Sequence, residues 1–188
     1  MKSDFKKRRK ILMDKIGDDS VLIIPSARHY KRTRDVEYPY RQDSDFFYLT
    51  GFGESDSLMM LIPDGKNGQF ILFCKDKDPL KERWDGPIAG PIEAKKDFDA
   101  DQSYAIDKIE ELLPNLIKGK KYIYAPYDKD EKFSLRLNKW IQSSDRLLKI
   151  KNSKTKILNS SEILHEIRLI KSESEIRKMR KAARIAVD

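Results

Sequence analysis

Apolar positions along this chain recur with two periods, one helical and one extended. Phe5, Leu12 and Ile16 stand seven and four residues apart, which places them on one side of a first helix. Gly17 and two aspartates end that pattern, and "SVLIIPS" (20–26) follows as a β-branched run that predicts a buried strand. "SLMMLI" (57–62) and "QFILFC" (69–74) are two more apolar runs, separated by "PDGKNG". Asp64-Gly65 and Asn67-Gly68 between them predict a hairpin. "KKYIYAP" (120–126) predicts a further strand, and "KTKIL" (154–158) a short one.

The helical period returns in the second half. "IDKIEELLPNLIK" (106–118) has Asp107 placed as an N-cap, with Glu110 three residues on to complete a capping box, and Pro114 is expected to kink or divide the helix. In "DKDEKFSLRLNKWIQSS" (128–144), Phe133, Leu137, Trp140 and Ile141 form one stripe behind an acidic start. "SSEILHEIRLIK" (160–171) carries Ile163, Leu164, Ile167 and Ile170 at helical spacing. In "SESEIRKMRKAARIAVD" (172–188), Ser172 and Glu175 form a second capping box and Ile176, Met179 and Ala183 open an apolar stripe. No glycine, asparagine or proline closes that helix, so the chain is expected to be cut from something longer. Strands alternating with helices, plus one hairpin, predict an α/β domain with a mixed sheet covered by helices.

Two stretches lack a clean period. Residues 75–99 hold three prolines and two glycines and read as a long loop with one short helix around Pro91–Phe98. "DVEYPYRQDSDFFYLTGF" (35–52) concentrates aromatics, an arginine and carboxylates in an otherwise lysine-rich chain. It reads as an irregular segment pinned to the sheet by Tyr38, Tyr40, Phe46, Phe47 and Tyr48, with Arg41 neutralising Asp43 and Asp45.

Charge changes the picture less than its size implies. The net charge is +8 with a pI near 9.4, which raises nucleic acid as a partner. Most of the excess is lysine scattered on predicted helix faces, and "KKRRK" (6–10) lies within the first amphipathic pattern, so a solvated basic surface is the preferred reading over nucleic-acid binding. Cys74 is the only cysteine, which excludes an intrachain disulfide or a thiolate metal cage. The chain shows neither an apolar run of membrane-spanning length nor a secretory signal, so a soluble, cytoplasmic protein is expected.

Tests for catalytic chemistry come back empty. There is no G-x-S-x-G elbow, the only histidines are His29 and His165 and are not at metal-ligand spacing, and Cys74 ends an apolar strand. "GFGESD" (51–56) lacks the third glycine of a dinucleotide fingerprint and precedes a strand. Asp43, Asp45, Glu54 and Asp56 have the chemistry to hold a hard cation or to act as an acid–base pair, but salt bridges with Arg34 and Arg41 account for them better. "DKDEK" (128–132) lacks the glycine and glutamate of a calcium loop and reads as helix capping.

The quoted residues do resemble a family. "RDVEYPYRQDSDFFYLTGF" (34–52) is similar to the signature of the N-terminal domain of aminopeptidase P, the Xaa-Pro aminopeptidase of bacteria. "FCKDKDPLKERWDGPIAG" (73–90) resembles its strand end and acidic–x–Trp–x–Gly loop, and "ILHEIRLIKSESEIRKMRKAARIA" (163–186) its linker and the first helix of its catalytic domain. One departure is that "PIAG" follows Gly86, where the family commonly has two arginines.

The resemblance implies a six-stranded mixed sheet in a ribonuclease-H-like arrangement over residues 1–170, with 171–188 as linker and truncated first helix of a pita-bread catalytic domain. It implies that two divalent ions, usually manganese, sit in that absent domain, so this chain holds no catalytic residue and no metal ligand and is inactive alone. Implied partners are its own catalytic domain, further copies in a dimer or tetramer, and proline-containing peptides. Asp35 matches an aspartate at the substrate end of the family's active site, and Trp84 a tryptophan that reaches a neighbouring subunit's site. The alternative is a non-catalytic, peptidase-like binding module for protein or nucleic acid.

Overall fold

A computed structural model describes residues 2–65, 68–127, 129–149 and 155–187. In chain order the elements are α1 (Lys2–Ile16), β1 (Ser20–Pro25), α2 (Ser44–Thr50), β2 (Leu58–Ile62), β3 (Gln69–Cys74), α3 (Pro79–Asp85), α4 (Gly90–Phe98), β4 (Gln102–Ala105), α5 (Ile109–Leu116), β5 (Tyr122–Ala125), α6 (Glu131–Leu147), β6 (Lys156–Asn159), α7 (Ser160–Leu169) and α8 (Glu173–Val187). The six strands form one sheet in the order β4-β3-β2-β1-β5-β6. β2 is antiparallel to both β1 and β3, and the other pairings are parallel, so five strands point one way and β2 alone points back.

Alternation along the strands builds two cores. Leu22, Ile24, Met59, Leu61, Phe70 and Leu72 face Leu12 and Ile16 of α1, Phe46 and Leu49 of α2, Ala94 of α4 and Leu164 of α7. Val21, Ile23, Leu58, Met60, Ile71 and Phe73 face Ile109 and Leu113 of α5 and Phe133, Leu137, Trp140 and Ile141 of α6. The stripe predicted for α6 is therefore its buried face. Each such aliphatic side chain removed from water contributes roughly 1.5–3 kcal/mol.

Several local expectations change. The hairpin is present, with Leu58 opposite Phe73 and Ile62 opposite Gln69, and Gly65 turns at φ 54°; Asn67 lies outside the described residues. β4 had no sequence signal: "QSYA" is half-buried throughout and is a strand because it lies parallel to β3. Asp107 caps nothing; Ile106–Lys108 is a 3₁₀ turn, and Glu110 is drawn to α6, accepting from Trp140 Nε1 at 2.6 Å and Arg136 Nη2 at 2.7 Å. Pro114 stays inside one undivided, eight-residue helix, where it is buried and removes a single backbone donor. The N-cap of α6 is Asp130; Asp128 and Lys154 lie outside the described residues. The Ser172–Glu175 box is made, with Ser172 N to Glu175 Oε2 at 2.9 Å.

Residues 75–99 hold two helices rather than one. Asp78 caps α3, accepting from Leu80 N and Lys81 N, and Pro79 takes the first helical position where a missing N–H costs nothing. The aromatic segment is likewise not wholly irregular: Asp43 caps α2, and Gly51 ends it at φ 69°. A Cβ on Gly51 would lie 2.6 Å from the Phe5 ring, so α1 packs where only glycine fits.

The basic first helix is not simply surface. Arg9 is 3% exposed, donates to Leu49 O at 3.0 Å, and stacks 4.2 Å from the Phe70 ring centroid. Arg8 donates to Tyr48 O at 3.0 Å and pairs with Glu175 at 3.2 Å. The two arginines thus satisfy last-turn carbonyls of α2, which carry the negative end of its dipole. Burial pulls the Arg9 pKa down to about 10. Contrary to the expectation from sequence, Arg41 does not neutralise Asp45: Asp45, 6% exposed, pairs with Arg168 of α7 and with Lys129 at 3.3 Å, because α2 turns it inward while Arg41, ahead of that helix, is exposed.

Two outcomes follow from these contacts. Arg9→Met leaves the Leu49 carbonyl without its donor and is expected to cost about 2 kcal/mol in urea denaturation, with Arg9→Lys recovering only part. The Cys74 thiol, buried at the end of β3, is pushed up from 9 to about 11 by desolvation. A folded pKa above the unfolded one means that this contribution is complete below pH 9 and is lost as pH rises through 11. Melting temperature is therefore expected to fall over that window, and Cys74→Ala, though less stable at neutral pH, to show a shallower fall.

Candidate functional site

Because five strands run in parallel, their carboxyl ends meet at one edge of the sheet, where ligands bind in open α/β folds. Two long connections, 26–43 after β1 and 75–89 after β3, rise from that edge and enclose a groove of about 1220 Å³. Arg28, His29, Glu37 and Tyr40 line one wall, Lys75 to Pro79 and Lys81 with Pro87 and Ile88 line the other, and Glu54, Ser55 and Asp56 line its floor.

The first wall is held by Gln42, whose side chain accepts from Ala27 N at 2.8 Å and donates to Glu54 O at 2.8 Å. Beyond it the chain doubles back: Tyr38 N bonds Tyr30 O at 2.9 Å, Lys31 and Glu37 form an antiparallel bridge, and Arg32 N bonds Val36 O at 2.8 Å. Asp35 stands exposed at the tip of this excursion. The second wall is tied to the floor by Glu54 Oε1, which accepts from Ala89 N at 2.8 Å. Trp84 sits on α3 and is 90% exposed, with Leu80 one turn earlier at 71%. It does not pack on its own sheet. Asp35 and Trp84 therefore belong to opposite walls, and neither side chain lines the groove.

The aromatic segment divides by helical phase. Phe46 is fully buried, Tyr40 and Tyr48 are half-buried, and Tyr38 and Phe47 are exposed at 55% and 47%. Burial pushes the Tyr40 phenol up to about 12. The four acidic candidates do not converge on a cation: Asp43 caps α2, Asp45 is ion-paired, Glu54 holds Ala89 N, and Asp56 pairs with Lys75 at 3.1 Å. Among the described residues no group of three His, Cys, Asp or Glu is placed to hold a metal, and the one buried carboxylate oxygen left without a hydrogen-bond partner, Glu54 Oε2, is too small a donor set for a two-metal centre.

Sequence reasoning missed one cluster. His29 Nδ1 lies 2.9 Å from Glu37 Oε2, and His29 Nε2 lies 3.0 Å from Ser55 Oγ, 26 residues away. Lys75 Nζ donates to the same hydroxyl at 2.9 Å. Tyr40 stacks on the imidazole with centroids 4.7 Å apart. The serine paired with a histidine that the sequence did not display is thus present, assembled from three loops; no spacing in the sequence announces it.

Comparison with known proteins places the fold. The family model described as aminopeptidase P, N-terminal domain, matches residues 5–124. An Xaa-Pro aminopeptidase of Haemophilus influenzae is 31% identical over 185 residues, covering 98% of this chain and 40% of that protein. A mitochondrial intermediate cleaving peptidase 55 of Arabidopsis thaliana is 33% identical over 179 residues, covering 95% of this chain and 34% of its own length. The structure of Pseudomonas aeruginosa aminopeptidase PepP superposes with a TM-score of 0.92 at 39% identity, over 98% of this chain and 42% of that one. The chain thus spans about 40% of the length of the Haemophilus relative. With the six-stranded sheet, the two-walled carboxyl edge and these matches in agreement, the chain belongs to the aminopeptidase P N-terminal domain family.

Proposed function

We propose that the chain serves as the non-catalytic N-terminal domain of a metal-dependent Xaa-Pro aminopeptidase, where it supports oligomerisation and substrate access. The observation that carries this reading is the near-complete match of this chain to well under half of a solved aminopeptidase. Asp43, Asp45 and Asp56 at the carboxyl edge are committed to a cap and to ion pairs, which fits a domain that leaves two divalent ions, manganese in the expected case, to a separate catalytic domain.

In this reading Trp84 is the contact offered to a neighbouring copy, since a large exposed ring on a short capped helix buries much area at small entropic cost. Asp35, exposed on the facing wall, meets the peptide end of the substrate. Residues 171–188 act as the link onward: α8 starts at its own capping box, and among the described residues it adds none to either core. A reducing, cytoplasmic setting suits the free, buried Cys74, and no described helix is long and apolar enough to cross a membrane.

Xaa-Pro peptide hydrolysis with added manganese, run on this chain and on the longest product of its gene, tests the reading. Only the longer product is expected to cleave. In that product Trp84→Ala is expected to weaken oligomers on sizing and raise KM about tenfold, equivalent to roughly 1.4 kcal/mol, and Asp35→Asn to raise KM with the oligomer intact. Cleavage by neither product would replace this reading with that of a binding module.

A further inference from the structure

We propose that Ser55, His29 and Glu37 form an acyl-transfer site of this domain's own, acting on short-chain carboxylic esters that enter the groove. The proposal rests on the order of contacts. Glu37 Oε2 accepts the Nδ1 proton of His29 at 2.9 Å, which leaves the lone pair of Nε2 facing Ser55 Oγ at 3.0 Å. A nucleophile, a base and a group that orients the base are thus in sequence, the arrangement by which serine hydrolases are recognised irrespective of chain order.

Three further observations fit the assignment. Ser55 is only 3% exposed and lines the groove floor, with its hydroxyl held among His29, Lys75 and Asp56. Lys75 Nζ donates to Oγ at 2.9 Å, which sets a cation beside the place an oxyanion would take, and Asp56 Oδ2 pairs with Lys75 at 3.1 Å and accepts from Ser55 Oγ at 3.2 Å, so the resting hydroxyl proton is shared between Asp56 and the shorter contact to His29 Nε2. Asp56 itself sits at φ 51°, a left-handed conformation uncommon outside glycine. That conformation falls on the residue after the nucleophile, where Ser57 N bonded to Ser26 Oγ at 2.9 Å and Ser57 Oγ bonded to Ser55 O at 3.0 Å fasten the turn. Tyr40 backs the imidazole, and Pro79, Pro87 and Ile88 on the far wall give an apolar face for an acyl chain.

The chemistry balances with water as the only co-reactant. Ser55 Oγ adds to the ester carbonyl, its proton passes to His29 Nε2, and the carbonyl electron pair becomes an oxyanion beside Lys75. Collapse expels the alcohol, which takes the proton back from His29 and leaves acyl-Ser55. Water, deprotonated by the same nitrogen, then releases the carboxylic acid and restores the hydroxyl. Ser55 and His29 are catalytic residues here, and Glu37 is a positioning residue acting through His29. The inference amends the proposed function in one respect, giving a domain without peptidase chemistry an esterase activity of its own, and its failure would leave that reading untouched.

The test is labelling of the 188-residue chain with a fluorophosphonate, followed by intact mass and peptide mapping, beside turnover of p-nitrophenyl acetate. One adduct is expected, on Ser55, with fluoride released. Ser55→Ala is expected to abolish it, and His29→Gln to slow it ~100-fold. Glu37→Gln is expected to slow it ~10-fold while Glu37→Asp restores most of the rate, at melting temperatures close to the unaltered chain. Melting curves on every variant separate lost chemistry from lost folding. No adduct on Ser55 of the folded chain, or an adduct formed at the same rate in folded His29→Gln, overturns the proposal.

Discussion

Burial of the central strands on both faces is the constraint from which the other features follow. β1, β2 and β3 present apolar side chains on both sides of the sheet, so no face of that sheet tolerates water. Helices must cover both sides, and the short chain achieves this with α1, α2, α4 and α7 on one face and α5 and α6 on the other. Parallel pairing of β1 with β5 and of β5 with β6 follows from crossovers through those helices, and it is this shared direction that gathers the loop ends at one edge.

Charge is used to lock helices onto that frame rather than to coat it. The guanidinium groups of Arg8 and Arg9 reach the open carbonyl end of α2, and the single carboxylate of Asp45 ties α2 to α7 and to the turn before α6. Glu110 does the same between α5 and α6 through Trp140 and Arg136. Part of the basic excess that invites a nucleic-acid reading is thereby consumed inside the fold. Elsewhere lysines stand in local pairs, such as Lys77 with Glu93 at 2.6 Å and Lys121 with Asp19 at 2.6 Å, which contribute little to stability and keep the surface solvated.

The groove combines rigidity and exposure in the way a site on a sheet edge requires. Its floor is the turn leading into β2, fixed by Ser26, Ser57 and Gln42, while its walls carry the exposed groups, Asp35 on one and Trp84 on the other. A domain with this construction can lend surfaces to a catalytic partner while a hydrogen-bonded series, Glu37 to His29 to Ser55, runs from one wall to the floor.

Periodicity alone determined much of this protein. Strands with β-branched, doubly buried runs such as "SVLIIP" and helices with long stripes such as that of α6 were legible because burial imposes a period on the residues themselves. The motif at 34–52 likewise carried the family without any coordinates. What tertiary structure decided were the features with no period of their own. β4 is a strand only because β3 offers it an edge; Glu110 leaves its expected cap for partners on α6; Arg168 takes the place expected of Arg41 at Asp45 once α2 turns that carboxylate inward. The His29–Ser55 contact is of the same kind, since a distance of 3.0 Å between residues 26 apart is set by how two loops rise from neighbouring strands, and a linear sequence holds no record of it.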